Sequence, residues 1–167
     1  MPGRVPQLDS ASSAALVPRA AVPVTGSVRL RVRYGECDSM GVAHHAAYAP
    51  WLEIARTEML REAGVTYAQL ERAGIFLVVA RLQISYRRPV YYDDVVEVRT
   101  RVTGGGKVKI EHEYEVVLAE SGAGASQPRT IGESLTTADT VLVCVDREGR
   151  VRGLPEWLVP SPSPRGS

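Results

Sequence analysis

Four residues that could take part in a reaction lie close together in the sequence. Asp38, Gly41, His44 and His45 fall within eight residues, just before a predicted helix. The carboxylate of Asp38 can serve as a nucleophile or as a general base. Gly41 lets the backbone approach a ligand closely. A helix N-terminus presents unpaired N–H groups and a partial positive charge, which can hold an oxyanion that develops on a carbonyl. Together these features predict acyl transfer or the hydrolysis of an activated acyl compound.

A strand and a helix flank this segment in the prediction. Residues 27–34 alternate apolar and basic side chains, as a half-buried strand does. After a loop over residues 35–48, Pro50 suits the first turn of a helix, where its missing N–H is not needed, and Gly64 suits the C-terminal end. The apolar stripe of this helix comprises Trp51, Leu52, Ile54, Ala55, Met59, Leu60 and Ala63, whereas Glu53, Arg56, Thr57, Arg61 and Glu62 fall mainly elsewhere. A short second helix is expected over residues 66–73.

Four strand-like segments follow, over residues 75–88, 94–103, 107–118 and 130–146. One very apolar helix with one sheet to bury it predicts an α+β fold, in which a curved antiparallel sheet wraps around the helix. The other face of the sheet and its edges then need cover, which dimerisation is expected to supply. The glycines at 104–106 predict a hairpin loop. A pairing of residues 103 and 107 then places Arg99 opposite Glu111 and Glu97 opposite Glu113.

Composition indicates the boundaries of the domain and the kinds of partner to expect. Residues 1–26 are rich in Ala, Pro and Ser and predict a disordered N-terminal segment, residues 27–156 form the domain, and residues 157–167 form a flexible tail. The formal net charge of +1 gives no reason to expect nucleic acid or a membrane surface as a partner. The two cysteines, Cys37 and Cys144, match no metal spacing. A reduced cytoplasmic setting suits them best, although one disulfide between them stays possible.

The chain also resembles a known family. The residues that carry the resemblance are Tyr34, Asp38, Gly41, His45 and Tyr48, followed on the helix by Glu53, Arg56 and Glu58. Weaker support comes from residues 85–89, 93–94, 145–150 and 154–155, so that the resemblance covers residues 27–155. This pattern is similar to that of the hotdog-fold acyl-CoA thioesterases, in particular the 4-hydroxybenzoyl-CoA thioesterase family with its YbgC-like branch.

The resemblance implies a fold, a reaction and an assembly. The fold is a hotdog, with a long central helix in a wrapped antiparallel sheet, paired as homodimers and often assembled into homotetramers with active sites at the dimer interface. Asp38 is the catalytic carboxylate, which either attacks the thioester carbonyl or activates water, and His45 lies beside the thioester. Backbone N–H groups near Tyr48 to Trp51 polarise the carbonyl. No metal or redox cofactor takes part, and coenzyme A is a component of the substrate.

Further residues are candidates for contact with the substrate. They are Tyr34, Gly41, Tyr48, Ala49, Trp51, Arg87 and Arg88, of which the two arginines are suited to coenzyme A phosphates. In one respect the chain departs from the family: Cys37 stands where a threonine commonly precedes the catalytic aspartate. A second hotdog branch uses a glutamate of the central helix instead, so Glu53 and Glu58 are alternative candidates.

Each of these residues also has a plain structural interpretation. Asp38 can cap its own loop through an Asx turn, and His44 can be structural or exposed. His112 falls on an apolar strand face, where a hydrogen-bonded core or interface histidine is expected. Cys37 has no clear cationic neighbour that would activate it as a nucleophile. Two functions other than acyl-CoA hydrolysis stay open: a non-catalytic module that binds or senses acyl-CoA, and a thioesterase that acts on acyl-carrier protein.

Overall fold

Five strands and two α-helices make up the regular structure of residues 16–125 and 128–160, the part of the chain that this computed structural model describes. In chain order they are β1 (Thr25–Arg31), α1 (His45–Glu62), α2 (Tyr67–Arg72), β2 (Phe76–Tyr86), β3 (Val95–Gly105), β4 (Lys109–Glu120) and β5 (Ser134–Val145), with short 3-10 helices at Tyr34–Glu36 and Glu156–Leu158. The predicted order of elements is confirmed. Of the predicted leader and tail, residues 1–15 and 161–167 lie outside the described residues. The described remainder is packed and not free, since Leu16, Val22, Trp157 and Val159 contact a buried hydrophobic cluster and β1 already begins at Thr25.

The strands form one antiparallel sheet in the order β1-β3-β4-β5-β2, and α1 packs against it. Alternate residues of β3 and β4 point to the helix, as their sequence period of two predicts. Side chains from α1 and the sheet interlock in the main core, whose fully buried members include Leu52, Val96, Val98, Val116, Leu118 and Leu135. The predicted α+β architecture, one long helix against one antiparallel sheet, is therefore confirmed.

Helix α1 begins at His45, several residues before the predicted start. The Nδ1 atom of His44 accepts a hydrogen bond from the N–H of Ala46 at 3.2 Å, so a histidine cap opens the helix early. Pro50 consequently lies inside the helix, where it leaves the Ala46 carbonyl without its usual donor. Gly64, with a φ of 82°, terminates the helix as predicted. None of the helices within the described ranges has the length and apolar character that crossing a bilayer requires.

Because α1 starts early, the unpaired backbone N–H groups of its first turn belong to residues further upstream than predicted. In the first turn of a helix the N–H groups have no partner inside the helix. In α1 these groups belong to residues 45–47, whereas the prediction assigned them to Tyr48 to Trp51. The predicted start of the helix was wrong because the proline was taken as the marker of the first turn, while the side chain of His44 provides the cap further upstream.

The register predicted for the hairpin between β3 and β4 was wrong. Gly104 and Gly105 continue β3 instead of forming the turn, and a bulge separates Val102 from Gly104. As a result Arg99 lies opposite Glu115, four residues further along than expected. Opposite charges still meet on the solvent side, since Arg101 and Glu113 form an ion pair at 2.6 Å. The predicted register would have set Glu97 against Glu113, two like charges, so charge pairing favours the observed register.

Two buried polar residues, Arg56 and His112, differ from what the sequence predicted of them. Arg56 was placed among the polar residues of the helix, yet it is only 7% exposed. His112 is buried on the inner face of β4, as predicted. The expectation that His112 is fully hydrogen-bonded is contradicted, because its Nδ1 atom has no hydrogen-bond partner among the described residues. Both side chains lie beneath the C-terminal half of α1.

Candidate active site

The loop that carries Asp38 folds back on itself and leads directly into α1. The N–H of Asp38 donates to the carbonyl of Val42 at 2.9 Å, and Cys37 pairs with Ala43 in an isolated antiparallel bridge. Gly41 closes the turn with a φ of 75°, in the left-handed region that glycine adopts without strain. Because Val42 is two residues before the helix cap, this hairpin holds Asp38 beside the chain that starts α1.

A second segment, residues 90–92, fixes the hairpin from the other side. The N–H of Ala43 donates to the Val90 carbonyl at 2.7 Å, and the N–H of Tyr92 donates to the Gly41 carbonyl at 3.2 Å. Val42 and Tyr91 form a further isolated bridge. The candidate loop is thus bonded along both of its sides, so its backbone is positioned by the fold and not by exposed side chains.

Behind residues 90–92 lies a buried ion pair between Asp94 and Arg129. One carboxylate oxygen of Asp94 accepts from the Tyr91 N–H at 2.8 Å and the other from the Gly122 N–H at 2.8 Å. The guanidinium of Arg129 also donates to the Pro89 carbonyl at 2.9 Å. This pair was missed from the sequence, because Arg129 lies between the predicted strands of residues 107–118 and 130–146, where no element was expected. Asp94 had appeared only as part of a weak motif.

The carboxylate of Asp38 is exposed and forms an Asx turn. Its Oδ1 atom accepts a hydrogen bond from the N–H of Met40 at 2.8 Å. The loop-capping role foreseen for Asp38 is therefore present. That contact orients the carboxylate on the outer side of the hairpin, where solvent and ligands have access to it.

The first turn of α1 carries the two histidines and an aromatic cluster. The His44 and His45 rings lie 3.9 Å apart between centroids, and both residues are exposed. His44 is the helix cap, which agrees with the structural role expected for it. Tyr48 is buried, contacts the Trp51 ring at 4.8 Å and meets the Tyr86 ring edge-on at 5.0 Å. Burial raises the pKa of the Tyr48 phenol above its usual value.

Two residues beyond the predicted set connect this cluster to its surroundings. The Trp51 indole N–H donates to Oε1 of Glu36 at 3.0 Å, which ties the helix to the short 3-10 turn before the hairpin. The Tyr86 hydroxyl donates to the His45 carbonyl at 3.2 Å. Tyr86 belongs to a segment distant from the helix in sequence, so no local pattern signalled its contact, whereas Glu36 lies nine residues before the helix.

Cys37 is not an activated thiol. Burial, together with the negative charges of Glu36 and Asp38, raises the pKa of the Cys37 thiol above its usual value. Its Sγ atom contacts the Arg33 carbonyl at 3.6 Å. Cys37 and Cys144 are both free cysteines, so no disulfide joins them. A neutral thiol is a poor nucleophile, and the low priority given to Cys37 is supported.

The remaining predicted residues differ in their exposure and in their partners. Tyr34 is 82% exposed and meets only the edge of the Tyr92 ring, at 5.7 Å between centroids, among the ring contacts of the described residues. Ala49 is half-buried in the first turns of α1, and Arg87 is exposed. Arg88 is engaged in an ion pair with Glu133.

The two helix glutamates are both paired with arginines. Glu53 lies 3.2 Å from Arg56, and Glu58 lies 3.0 Å from Arg61. Within residues 16–125 and 128–160, no group of three or more His, Cys, Asp or Glu side chains is arranged to hold a metal ion. The site that the fold assembles thus consists of Asp38, Gly41, the histidine-capped helix start and the aromatic cluster beside it.

Comparison with known proteins agrees with this geometry. The chain matches the thioesterase-like superfamily over residues 32–161. Among its relatives, the acyl-CoA thioester hydrolase YbgC of Escherichia coli O6:H1 is 30% identical over 131 residues, which span 78% of this chain and 90% of that protein.

Solved structures give the same result. The DHNA-CoA thioesterase from Staphylococcus aureus matches with a TM-score of 0.68 and 28% identity, over 77% of this chain and 80% of that one. A thioesterase from Thermus thermophilus, complexed with coenzyme A and Zn, matches with a TM-score of 0.61 and 29% identity, over 78% and 86% of the two chains. The fold is therefore that of the hotdog thioesterases, a class of thioester hydrolases. This chain belongs to the thioesterase-like superfamily, which confirms the resemblance found in its sequence.

Proposed function

We propose that this protein hydrolyses acyl-coenzyme A thioesters to the free acid and coenzyme A, with Asp38 as the reacting carboxylate. One observation carries the proposal: the hairpin of residues 37–43 holds an exposed carboxylate beside the N-terminus of α1. The reaction needs both features, a nucleophile or base and a positive helix end for the developing oxyanion. The acyl-CoA substrate is inferred from the related thioester hydrolase of Escherichia coli and from the Thermus thermophilus thioesterase with its coenzyme A.

The carboxylate can act in two ways. As a nucleophile, an oxygen of Asp38 bonds to the thioester carbon, the carbon–sulfur bond breaks, and the thiolate leaves and takes a proton from water. A second water then hydrolyses the resulting anhydride and restores the carboxylate. As a general base, Asp38 instead removes a proton from the water that attacks the carbonyl directly. Label that appears in the side chain of Asp38 after a single turnover in heavy-oxygen water supports the first route, with water attacking the aspartyl carbon of the anhydride.

The start of α1 supplies the oxyanion site in this proposal. The N–H of Ala46 is bonded to the His44 ring, and the N–H of Ala47 donates to the His44 carbonyl at 2.9 Å. Among the described residues, the N–H of His45 is left without such a partner. We therefore assign the polarisation of the thioester carbonyl to the His45 N–H and to the positive end of the helix. The exposed His45 ring lies beside the same carbonyl.

A free-thiol assay over a panel of coenzyme A esters tests the proposal. Asp38→Asn should lower kcat by about two to four orders of magnitude, the range for loss of an acid–base group. Asp139→Asn makes the same chemical change on β5, where Asp139 pairs with Arg81, and should leave the rate unchanged. If Asp38→Asn hydrolyses at the wild-type rate, Asp38 is not the reacting group. Tight binding of coenzyme A esters with no release of thiol would instead favour a sensing module. Hydrolysis of acyl-carrier-protein thioesters, with none of coenzyme A esters, would favour acyl-carrier protein as the substrate.

We also propose that two copies pair through β2. This strand pairs with β5 on one side, and along its length Val78, Val79, Leu82 and Tyr86 are all substantially exposed. An exposed apolar edge strand is an unfavourable surface for an isolated chain and a ready surface for strand pairing. Since Tyr86 reaches the His45 carbonyl, a partner at this edge would border the candidate site.

Light scattering after size-exclusion chromatography tests the pairing. Val79→Lys would bring two like charges together at the interface and should convert dimers, or tetramers built from them, to monomers with reduced activity. Val108→Lys, at the exposed turn before β4, is the matched control and should not alter the mass. A wild-type protein that is monomeric and fully active would overturn this assignment.

A further inference from the structure

A second enclosed space lies at the opposite end of α1 from the candidate active site. It is a cavity of about 500 Å³ between the C-terminal half of α1 and the sheet, a volume within the range of small-molecule sites. Residues 18–24 and 157–160 cover it. Apolar side chains form most of its wall, among them Met59, Leu60, Leu77, Ile110, Leu142 and Trp157.

Two polar side chains interrupt this apolar wall. Arg56 and His112 both line the cavity and are only 7% and 6% exposed. The Nε atom of Arg56 and the Nδ1 atom of His112 are buried and have no hydrogen-bond partner among the described residues. Buried polar atoms are normally bonded, because an unsatisfied one loses its interaction with water and gains nothing in return. Both residues line the same cavity, and each side chain carries one buried atom without a partner, which points to a ligand with hydrogen-bond acceptors at this wall.

The charge around the cavity favours an anion. Arg56 pairs through Nη2 with the exposed Glu53 at 3.2 Å, and its guanidinium also hydrogen-bonds to the phenols of Tyr67 and Tyr114, so that its Nε atom is the donor left over. Burial and the charge of Arg56 lower the pKa of His112 to about 4, so the imidazole is neutral at pH 7. One cation and one neutral imidazole can donate to the two oxygens of a carboxylate.

The cavity is separate from the candidate active site. Arg56 is eleven residues beyond His45 on the same helix, which corresponds to a distance of about 16 Å along the axis. Between them Trp51, Leu52 and Ala55 are packed in the main core. A ligand in the cavity therefore does not reach the reacting carboxylate through the protein interior.

We propose that this cavity is a second binding site, for a carboxylic acid with an apolar chain, whose carboxylate bonds to Arg56 and His112 while the chain occupies the apolar space. A medium-chain fatty acid has this chemistry. The proposal goes beyond the proposed hydrolysis and does not depend on it. Products of that reaction share the same chemistry, so the experiment must separate binding here from binding at the catalytic end.

The two tryptophans allow that separation, because Trp157 lines the cavity and Trp51 lies near the start of α1. The probe is decanoate with a terminal bromine, which quenches nearby tryptophan fluorescence. We expect saturable quenching in the wild type that disappears in Trp157→Phe. Decanol with the same bromine tests the carboxylate and should bind at least about tenfold more weakly, as should decanoate to Arg56→Met. Arg61→Met removes an exposed arginine with an equivalent glutamate pair and should bind like the wild type.

Several results would overturn the proposal: no saturable quenching in the wild type, quenching that persists in Trp157→Phe, or equal affinity in Arg56→Met. If circular dichroism shows that Arg56→Met does not fold, Val102→Phe is used in its place. Val102 lines the cavity, so the larger phenylalanine ring fills the space while Arg56 is retained. Val102→Phe should abolish quenching, and Val151→Phe, at an exposed site, should not. Equal quenching in both would place the ligand elsewhere. Binding retained in Asp38→Asn supports separation from the catalytic end, and binding lost there contradicts it.

Discussion

The hydroxyl of Tyr86 donates a hydrogen bond to the main-chain carbonyl of His45 at 3.2 Å, which joins the last residue of β2 to the first residue of α1. The exposed edge of the sheet and the start of the helix are thereby fixed to each other. The Tyr86 ring also meets the buried Tyr48 ring edge-on. In this arrangement Tyr86 is a positioning residue for the helix start, since it contacts a carbonyl and not the reacting carboxylate.

Tyr86→Phe tests this role, because it removes the hydrogen bond and keeps the ring contact. A hydrogen bond of this kind contributes about 0.5–1.5 kcal/mol, so kcat for thioester hydrolysis should fall by up to about tenfold while KM changes little. Tyr92→Phe, at another half-exposed tyrosine whose ring contact is with Tyr34, should leave kcat unchanged. Equal kinetics of Tyr86→Phe and the wild type would show that the bond does not position the helix start.

Gly41→Ala should damage both stability and activity. A residue with a side chain is strained by about 1–2 kcal/mol at the φ of 75° that Gly41 adopts. Relief of that strain would open the hairpin and displace Asp38, so the free energy of unfolding and kcat should fall together. The matched control is Gly35→Ala, since Gly35 has no positive φ and an added Cβ there meets nothing within 4 Å. Denaturant titration and the free-thiol assay measure the two effects. A fully active Gly41→Ala would contradict the positioning role of the hairpin.

Removal of one partner from the buried pair of Asp94 and Arg129 should lower stability far more than removal of one partner from an exposed pair. Arg129→Ala leaves the Asp94 carboxylate buried without its counter-charge, and the removal of one partner from such a pair lowers stability by about 3–5 kcal/mol. Arg101→Ala breaks an exposed pair with Glu113 and should cost about 1 kcal/mol or less. Urea unfolding of both variants compares them. If Arg129→Ala and Arg101→Ala lose similar amounts of unfolding free energy, burial does not determine the cost of removing one partner.

The loss of activity in Arg129→Ala should exceed its loss of folded protein. Asp94 holds the Tyr91 N–H, and Val42 forms a bridge with Tyr91. Release of residues 90–92 therefore loosens the hairpin of Asp38 even in molecules that stay folded. Activity per folded molecule, measured well below the unfolding temperature, is the readout that a purely stabilising ion pair would leave unchanged.

Sequence periodicity predicted the parts of the fold that depend on local pattern. The alternation in β4 located its buried face, and Gly64 and Thr66 correctly marked the end of α1 and the start of α2. The hairpin register failed because the glycines at 104–106 were taken as the turn, and the bulge beside Val102 that shifts the pairing has no local signal. The start of α1 failed because a histidine cap is less common than the Ser, Thr, Asp or Asn that such predictions expect.

The residues of the candidate site also fall into those that a local motif predicted and those that it did not. Asp38, Gly41 and His45 were accessible from the sequence because they lie together on one short motif, and the family resemblance depends on them. Arg129 and Tyr86 reach the site through contacts between residues that are distant in sequence, which no single segment encodes. Arg56 was assigned to the polar face because arginine is seldom buried. Arg56 is buried because residues before β1 and after β5 cover that end of the helix, an arrangement that the sequence of the helix does not encode.

The burial of His112 predicts how stability depends on pH. The pKa of His112 is lowered from 6.5 to about 4, first by burial and then by the charge of Arg56. Because the folded state holds the neutral form, the unfolded chain binds the extra proton between these values. The stability contributed by His112 is thus complete above pH 6.5 and is lost as the pH falls towards 4. The full loss is about 3 kcal/mol.

Denaturant titrations at several values of pH between 7 and 4 measure this loss. His112→Leu removes the titrating group, so the difference in the free energy of unfolding between wild type and variant should shift in favour of the variant as the pH falls below 6.5. Other groups titrate equally in both proteins and cancel in the difference. A difference that stays constant over this range would show that His112 accepts a proton as readily in the folded protein as in the unfolded chain, and that the end of α1 where Arg56 lies is open to water.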